Sequence, residues 1–244
     1  MLMSGHSKWS QIKRQKGVAD IKKGKTFTKV SNAISIAVKQ GGGISDPNQN
    51  FRLRLAIDAA KAANMPKENI ERAIKRATTK EAGDIEEIIY EGFAPGGKVS
   101  LIVEAATDNS QRTTALIKSI FSKSGANFGR PGSVMYQFKQ TGQIIVLKQE
   151  KSFEEIFEKA VDFGAEDVDE MGEEVFIYTS VLNLVKIKEQ LVKEGIEVVD
   201  SEITRIPLNA VSLEDNLQMK KKAEGFIESI EELDDVQKVY SNLE

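Results

Sequence analysis

The residues best suited to do chemistry are the cations near the start of the chain, since lysine and arginine side chains bind phosphate oxygens. Residues 1–80 hold 17 Lys and Arg against 5 Asp and Glu, whereas residues 81–244 hold 17 basic and 32 acidic side chains. The net charge of −3 therefore conceals a basic N-terminal part and an acidic remainder. A basic segment of this size produces a positive potential that attracts polyanions, so nucleic acid is the leading candidate partner.

The candidate contacts with nucleic acid lie mostly in this basic part. We expect the cations to contact phosphates, and Trp9 to stack on an unpaired base or to insert at a base step. The alternative is that the charges only solubilise the chain and that Trp9 anchors it to a core. The full candidate set is Lys8, Trp9, Lys13, Arg14, Lys16, Lys22, Lys23, Lys25, Arg52, Arg54, Lys75, Arg76 and Arg112.

The composition argues against most catalytic and metal sites. The chain has no cysteine, and its one histidine, His6, lies between a glycine and a serine. Disulfides, thiol catalysis and cysteine-rich zinc sites are therefore excluded, and a Ser-His-Asp triad would lack a rigidly held imidazole. No apolar run approaches the roughly 20 residues that span a bilayer, and the first residues lack a signal-peptide core. We expect a cytoplasmic protein that is not an enzyme, with no cofactor, metal, small-molecule substrate or membrane partner.

Two local patterns resemble ligand sites but favour a structural explanation. The segment Gly96-Gly97-Lys98 lacks the earlier glycine and the following Ser or Thr of a phosphate-binding loop, and it predicts a hairpin turn. The acidic residues of 167–174 fall in a predicted hairpin, whose alternation sends them to different faces. A calcium-loop pattern is absent, so a solvated hairpin is favoured over a metal site.

The best candidate site outside the basic part is the loop 107–114. Asp108, Asn109 or Ser110 would cap the helix that follows. Arg112 and Gln111 are then candidates for an additional role in binding.

Apolar periodicity predicts three helices in the basic part. The first, 26–40, has an apolar stripe and ends at Gly41-Gly42-Gly43. Asp46-Pro47 resembles the N-cap of a second helix that runs through Ala63, and a third follows from Lys67 to Ala77. The last two helices could mimic a helix-turn-helix, but the third shows no evident set of base-reading side chains. Shape-dependent contact with RNA is at least as compatible.

The rest of the chain predicts an α+β protein: an N-terminal three-helix domain followed by two α/β domains, at least one ferredoxin-like (βαββαβ). Residues 139–207 carry that element order. A lone strand near 235–240 cannot bury itself, so we expect it to return to the sheet that begins near Tyr90. A further strand is predicted at Ser133–Phe138, and Ser212 is predicted to cap the last helix. The expected domains are a basic arm (1–25), a helical basic domain (26–80), a discontinuous α/β domain (84–138 plus 208–244) and a ferredoxin-like domain (139–207).

Several motifs in order along the chain resemble those of the YebC/PmpR family. They are Met3-Ser-Gly-His-Ser-Lys-Trp-Ser, Lys13-Arg14, Gly41-Gly42-Gly43, Asn50-Phe51-Arg52-Leu53-Arg54, Ala59 to Lys67, Tyr90-Glu91-Gly92, Pro95-Gly96-Gly97, Thr107-Asp108-Asn109 with Arg112-Thr113, and Gly132-Ser133-Val134. The resemblance covers essentially the whole chain and implies a helical head with two α/β domains. Ser110 and Phe93-Ala94 depart from the residues common in that family.

The resemblance implies contact with nucleic acid in two different roles. Members are usually described as transcriptional regulators that bind promoter DNA, which is the function we expect, through the basic N-terminal domain. The alternative is a translation factor associated with RNA and the ribosome. A mitochondrial relative resembles a translational activator of cytochrome oxidase, and bacterial members have been connected with relief of stalling on proline-rich sequences. The expected partners are DNA, RNA or both, with the ribosome as a further candidate, and the expected state is a monomer.

Overall fold

The computed structural model describes residues 23–79 and 85–244, with side chains from Thr26 onward in the first helix. These residues divide into two compact units. The smaller unit is formed by residues 138–206, and the larger unit by 23–79, 85–137 and 207–244. The fold is α+β, as the sequence predicted, with a helical region followed by two antiparallel four-stranded sheets.

Three helices begin the larger unit. Their apolar residues recur at helical spacing and therefore share one core. The stripe predicted on the first helix is confirmed, because Ile34, Ala37 and Val38 are buried and Phe27 and Val30 pack partly buried against the same cluster. The helices are α1 (Lys23–Gln40), α2 (Phe51–Ala62) and α3 (Lys67–Thr78).

The expected N-cap of α2 at Asp46 is wrong, because Asn50 occupies that position. The Asn50 Oδ1 accepts from Leu53 N at 3.1 Å, and its Nδ2 donates to Ala37 O at 2.9 Å and Ile44 O at 3.0 Å. Asn50 is 4% exposed, so one buried amide both caps α2 and holds the turn after α1. A Cβ at Gly41 would collide with this side chain, which explains why a glycine is needed there.

The larger unit also contains β1 (Glu86–Phe93), β2 (Ser100–Thr107), α4 (Ser110–Ser124), β3 (Asn127–Phe128), α7 (Leu217–Glu231) and β8 (Val236–Ser241). Its strands form a sheet of order β3-β1-β2-β8. The last strand pairs antiparallel with β2, which confirms its expected return. The predicted hairpin turn between β1 and β2 is also confirmed, since Ala94 N donates to Val99 O at 2.9 Å.

Helices cover both faces of this sheet. On one face, Phe121 of α4 and Phe226 of α7 meet edge to face at 4.9 Å over a core that includes Ala105. Neighbouring strand residues point to opposite faces. Ala106 accordingly belongs to another cluster, formed with Ile36 of α1 and Ile85. Helix α1 therefore packs on the second face of the sheet, and we call α1–α3 the helical head.

Two further boundary predictions are wrong. Most of the strand predicted at Ser133–Phe138 is absent: Met135–Gln137 forms a 3₁₀ turn in which Tyr136 is 71% exposed, and only Phe138 belongs to a strand. The last helix begins at Leu217, not after Ser212, because the Asn216 side chain accepts from Met219 N at 3.0 Å and caps it.

The smaller unit has the ferredoxin-like order that the sequence predicted. Its elements are β4 (Phe138–Leu147), α5 (Phe153–Asp162), β5 (Asp167–Met171), β6 (Glu174–Thr179), α6 (Leu184–Lys193) and β7 (Val198–Pro207). The strands form a sheet of order β5-β6-β4-β7, and regular apolar spacing makes both helices amphipathic. Ser152 and Glu155 form a capping box, and the backbone hydrogen bond from Ser152 lowers the pKa of Glu155.

No helix within the described residues is both long and apolar enough to cross a membrane.

Candidate nucleic-acid interface

Many of the predicted contact residues belong to the first part of the chain. Lys23 and Lys25 lie in the first turn of α1. The residues outside the described part of the structure are Lys8, Trp9, Lys13, Arg14, Lys16 and Lys22.

One side of α3 carries exposed cations because the other side is buried in the core. Ile70 and Ala73 are buried, which turns Arg72, Lys75 and Arg76 toward solvent. Within residues 23–79 and 85–244, none of these three cations forms an ion pair with a carboxylate, whereas Lys67 lies 3.6 Å from Glu71. We call Arg72, Lys75 and Arg76 the cationic face. Two of its members also stabilise α3, since cations in the last turn interact favourably with the helix dipole.

A groove of about 300 Å³ lies between α1 and α3, next to the cationic face. Helical spacing aligns its polar side chains, at i, i+3 and i+4 on α1 and at i, i+3 and i+7 on α3. Its apolar lining comes from Phe27, Met65 and Ala73. The polar lining is formed by Thr28, Ser31, Asn32, Asn69, Arg72 and Arg76.

The groove contains residues that the sequence did not single out. Arg72 has the same spacing signal as Arg76, one turn away on the same face, and could have been found from it. Asn32 and Asn69 gave no such signal, because only packing of α1 against α3 brings the two amides to one groove.

The predicted contacts on α2 have local partners. The Arg54 Nε donates to Pro47 O at 3.1 Å and its Nη2 to Asn48 O at 3.4 Å, which ties α2 to the preceding turn. The Arg52 guanidinium lies 5.5 Å from the centre of the Phe51 ring. Neither arginine lines the groove.

Two other cations of the head join α1 to the end of α7 and to the residue before β1. The Lys29 Nζ donates to Glu231 O at 2.7 Å, and the Lys39 Nζ donates to Ile85 O at 2.9 Å. Hydrogen bonds from a charged donor are stronger than neutral ones. These contacts therefore help to fix the orientation of α1 on the second face of the sheet.

Arg112 lies in α4, in acidic surroundings. Its Nη2 is 2.9 Å from Asp108 Oδ1 and 3.2 Å from Asp235 Oδ2, and the hydrogen bond with Asp235 is the main cause that raises the pKa of Arg112. Thr113 Oγ1 donates to the same Asp235 oxygen at 2.5 Å. The predicted cap of this helix is confirmed, with Asn109 Oδ1 accepting from Arg112 N at 3.0 Å. These carboxylates carry the same sign of charge as a phosphate and do not attract one.

Two of the resembling motifs meet at a buried carboxylate. Glu91 is 4% exposed and accepts from Gly132 N at 2.5 Å, Val134 N at 2.7 Å and Met135 N at 2.8 Å. A Cβ at Gly92 would come within 2.5 Å of Asn127 O. These motif residues therefore build the turn before β4.

The acidic hairpin has local contacts of its own. Asp167 Oδ1 accepts from Val168 N at 3.0 Å, and Lys148 Nζ lies 3.5 Å from Glu170 Oε2. The described part of the chain contains no cluster of three or more His, Asp or Glu placed to hold a metal ion.

Comparison with known proteins gives matches over nearly the whole chain. Residues 7–80 match the family model described as "TACO1/YebC protein N-terminal domain", and residues 85–243 match "TACO1/YebC second and third domain". A protein of Persephonella marina named "Probable transcriptional regulatory protein" is 48% identical over 244 residues, covering 99% of this chain and 96% of the relative. One of the same name from Trichlorobacter lovleyi is 46% identical over 246 residues, with the same two coverages.

A solved structure is similar along the same length. The crystal structure of a conserved hypothetical protein from Aquifex aeolicus is 44% identical, with a TM-score of 0.87, and the match covers 98% of this chain and 97% of that one.

Proposed function

Since the chain belongs to the TACO1/YebC family, we propose that it is a regulatory protein that binds nucleic acid through its basic N-terminal part. The name shared by its relatives supports a role in transcription, in which the bound polymer is DNA. The observation that carries the proposal is the cationic face of α3, whose exposed cations have no carboxylate partner among the described residues.

The binding mechanism is contact between cations and backbone phosphates. Arg72 and Arg76 each present a planar guanidinium that donates two parallel hydrogen bonds to a phosphate, and Lys75 adds a point charge. Each neutralised phosphate releases counterions, so the logarithm of the affinity falls with the logarithm of salt concentration by about 0.9 per phosphate on duplex DNA. The cations of residues 8–25 add to the same effect.

The acidic remainder of the chain has a complementary role. Residues 81–244 hold 32 acidic against 17 basic side chains, so this part is repelled by a polyanion and stays off the polymer. Its surface is then available to protein partners. We place the protein in the cytoplasm as a monomer, with neither a catalytic site nor a cofactor.

A second candidate function is translation, with ribosomal or messenger RNA as the partner. The groove beside the cationic face favours it, because neutral amide and hydroxyl groups there can bind the exposed edges of unpaired bases. A regular duplex keeps those edges within its base pairs.

Cross-linking in growing cells, followed by sequencing of both the DNA and the RNA recovered, tests the proposal and separates its two forms. Enrichment of promoter DNA is the result expected for transcription, and enrichment of ribosomal or messenger RNA is the result expected for translation. The matched control is the full chain with Arg72→Ala, Lys75→Ala and Arg76→Ala. Equal recovery with this variant and with the unaltered chain would contradict binding through the cationic face.

A further inference from the structure

The groove between α1 and α3 has a composition that phosphate binding alone does not require. A surface that only follows a phosphate backbone needs cations, yet four of the six polar side chains in this groove are neutral. Asn32 and Asn69 each carry a carbonyl acceptor and an NH₂ donor, the pair of groups that reads the edge of a base.

Both amides are available for a ligand. Asn32 and Asn69 are half-buried, and within the described residues neither side-chain amide has a hydrogen-bond partner. A partly buried amide that has no hydrogen bond within the protein contributes little to folding stability. It forms hydrogen bonds when a bound ligand supplies the partners. Arg72 and Arg76, on the same groove, are likewise without carboxylate partners there.

The size and the apolar lining of the groove further restrict the kind of ligand that it can hold. A volume of about 300 Å³ is at the lower end for sites that hold small molecules, and it is too small for a base pair with its two backbones. Phe27 supplies an aromatic ring and Met65 a polarizable thioether, and aromatic rings stack on bases of any sequence. The groove therefore combines the three kinds of group that an unpaired nucleotide needs.

We infer that this groove holds one unpaired nucleotide of a single-stranded segment, with Arg72 and Arg76 on the phosphate and Asn32 and Asn69 on the base edge. The inference rests on the proposed function and makes it more specific. The protein then prefers single strands, loops or bulges to a regular duplex, and the cationic face holds the adjoining backbone.

Replacement of both amides tests the inference without changing the charge. The full-length variant Asn32→Ala/Asn69→Ala is titrated against a single-stranded RNA, a single-stranded DNA of the same sequence and the corresponding duplex. We expect affinity for the single strands to fall about 30-fold, the loss of two hydrogen bonds of ordinary net strength, with duplex affinity and salt slope unchanged. The matched control is Asn127→Ala/Asn183→Ala, which removes two exposed amides far from the groove in sequence.

The outcomes separate this inference from the proposed function. If the unaltered chain binds neither single strand nor duplex, the proposed function itself is wrong. If it binds both with a salt slope and the groove variant matches the control, the inference alone is overturned. A larger loss on RNA than on DNA would show that the groove also senses the 2′-hydroxyl.

A second measurement does not depend on a variant that folds. Nucleoside monophosphates and, separately, inorganic phosphate are added to the isotope-labelled full chain while the side-chain amide NMR signals of Asn32 and Asn69 are followed. The inference predicts that the nucleotides shift both signals and that inorganic phosphate does not. Equal shifts with both ligands, or none with either, would overturn it.

Discussion

The triple variant Arg72→Ala/Lys75→Ala/Arg76→Ala gives the most quantitative prediction. It removes three cations that are exposed and without ion pairs among the described residues. If each neutralises one phosphate, the log–log salt slope on duplex DNA becomes shallower by about 2.7. Between 50 and 200 mM salt, the ratio of unaltered to variant affinity then changes by about 40-fold. Fluorescence anisotropy with a labelled duplex at four or five salt concentrations measures both quantities.

The control for this variant removes the same charge elsewhere. Lys123, Lys186 and Lys193 are all exposed and lie outside the helical head. The control Lys123→Ala/Lys186→Ala/Lys193→Ala also loses three cations and therefore has the same net charge as the variant of the cationic face. We expect its salt slope to stay within about one unit of the unaltered chain. We expect both variants to fold, because each lost interaction with a helix dipole is worth only about 0.3–1 kcal/mol. Far-UV circular dichroism checks this. If the variant of the cationic face has the same salt slope as the control, these three cations do not contact phosphates and the prediction is wrong.

Three further predictions concern stability and are measured by urea unfolding. Asn50→Ala removes the cap of α2 and the two hydrogen bonds that Asn50 Nδ2 donates to Ala37 O and Ile44 O, so we expect the free energy of unfolding to fall by about 2–4 kcal/mol; a fall below about 0.5 kcal/mol would contradict the role of Asn50 in holding the turn after α1. Glu91→Gln replaces the carboxylate that accepts from three backbone amides, of which Val134 N is buried, with a neutral group and should lower the free energy of unfolding by at least about 2 kcal/mol; an unchanged urea midpoint would contradict the role of Glu91 in the turn before β4. Burial raises the pKa of Tyr90, so the folded state keeps its proton where the unfolded state loses it. The stability that Tyr90 contributes in this way is present below about pH 10 and is lost as the pH rises further. Tyr90→Phe should therefore flatten the fall in the free energy of unfolding between about pH 9 and pH 11. An equally steep fall in the variant and in the unaltered chain would contradict the raised pKa of Tyr90.

Regular periodicity made most of the fold predictable. The apolar stripe of α1 and the alternating strands of the ferredoxin-like unit each bury one face, and burial of that face determines the element. The return of β8 to the first sheet followed from the inability of a lone strand to bury itself. These features depend on local pattern and on general rules of packing, which the sequence contains.

The helix starts were harder because the chain offers several capping residues close together. Asp46 and Asn50 are both good caps, and so are Ser212 and Asn216. The choice at Asn50 depends on Ala37 O, which belongs to another helix, and no local pattern reveals it. The 3₁₀ turn before β4 was missed for the same reason, since a carboxylate about forty residues earlier in the chain collects its amides.

The candidate site was predictable in its charge but not in its detail. The excess of cations over 1–80 identified the region. The structure then gives Arg54 and Arg112 local partners and leaves Arg72 exposed, distinctions that only side-chain contacts make. The amide pair of the groove appears only when two helices pack. The division into the four predicted domains, and the contacts expected of the N-terminal cations and Trp9, stay predictions.

The most direct test of the central claim is to map the cross-links on the protein itself. Cells that produce the full chain are irradiated with ultraviolet light, the protein is digested, and peptides that carry a nucleotide are identified by mass spectrometry. We predict that the cross-linked peptides come from residues 1–80, and the mass of the attached nucleotide distinguishes RNA from DNA. Cross-links confined to residues 85–244, or none at all, would contradict a protein that binds nucleic acid through its basic head.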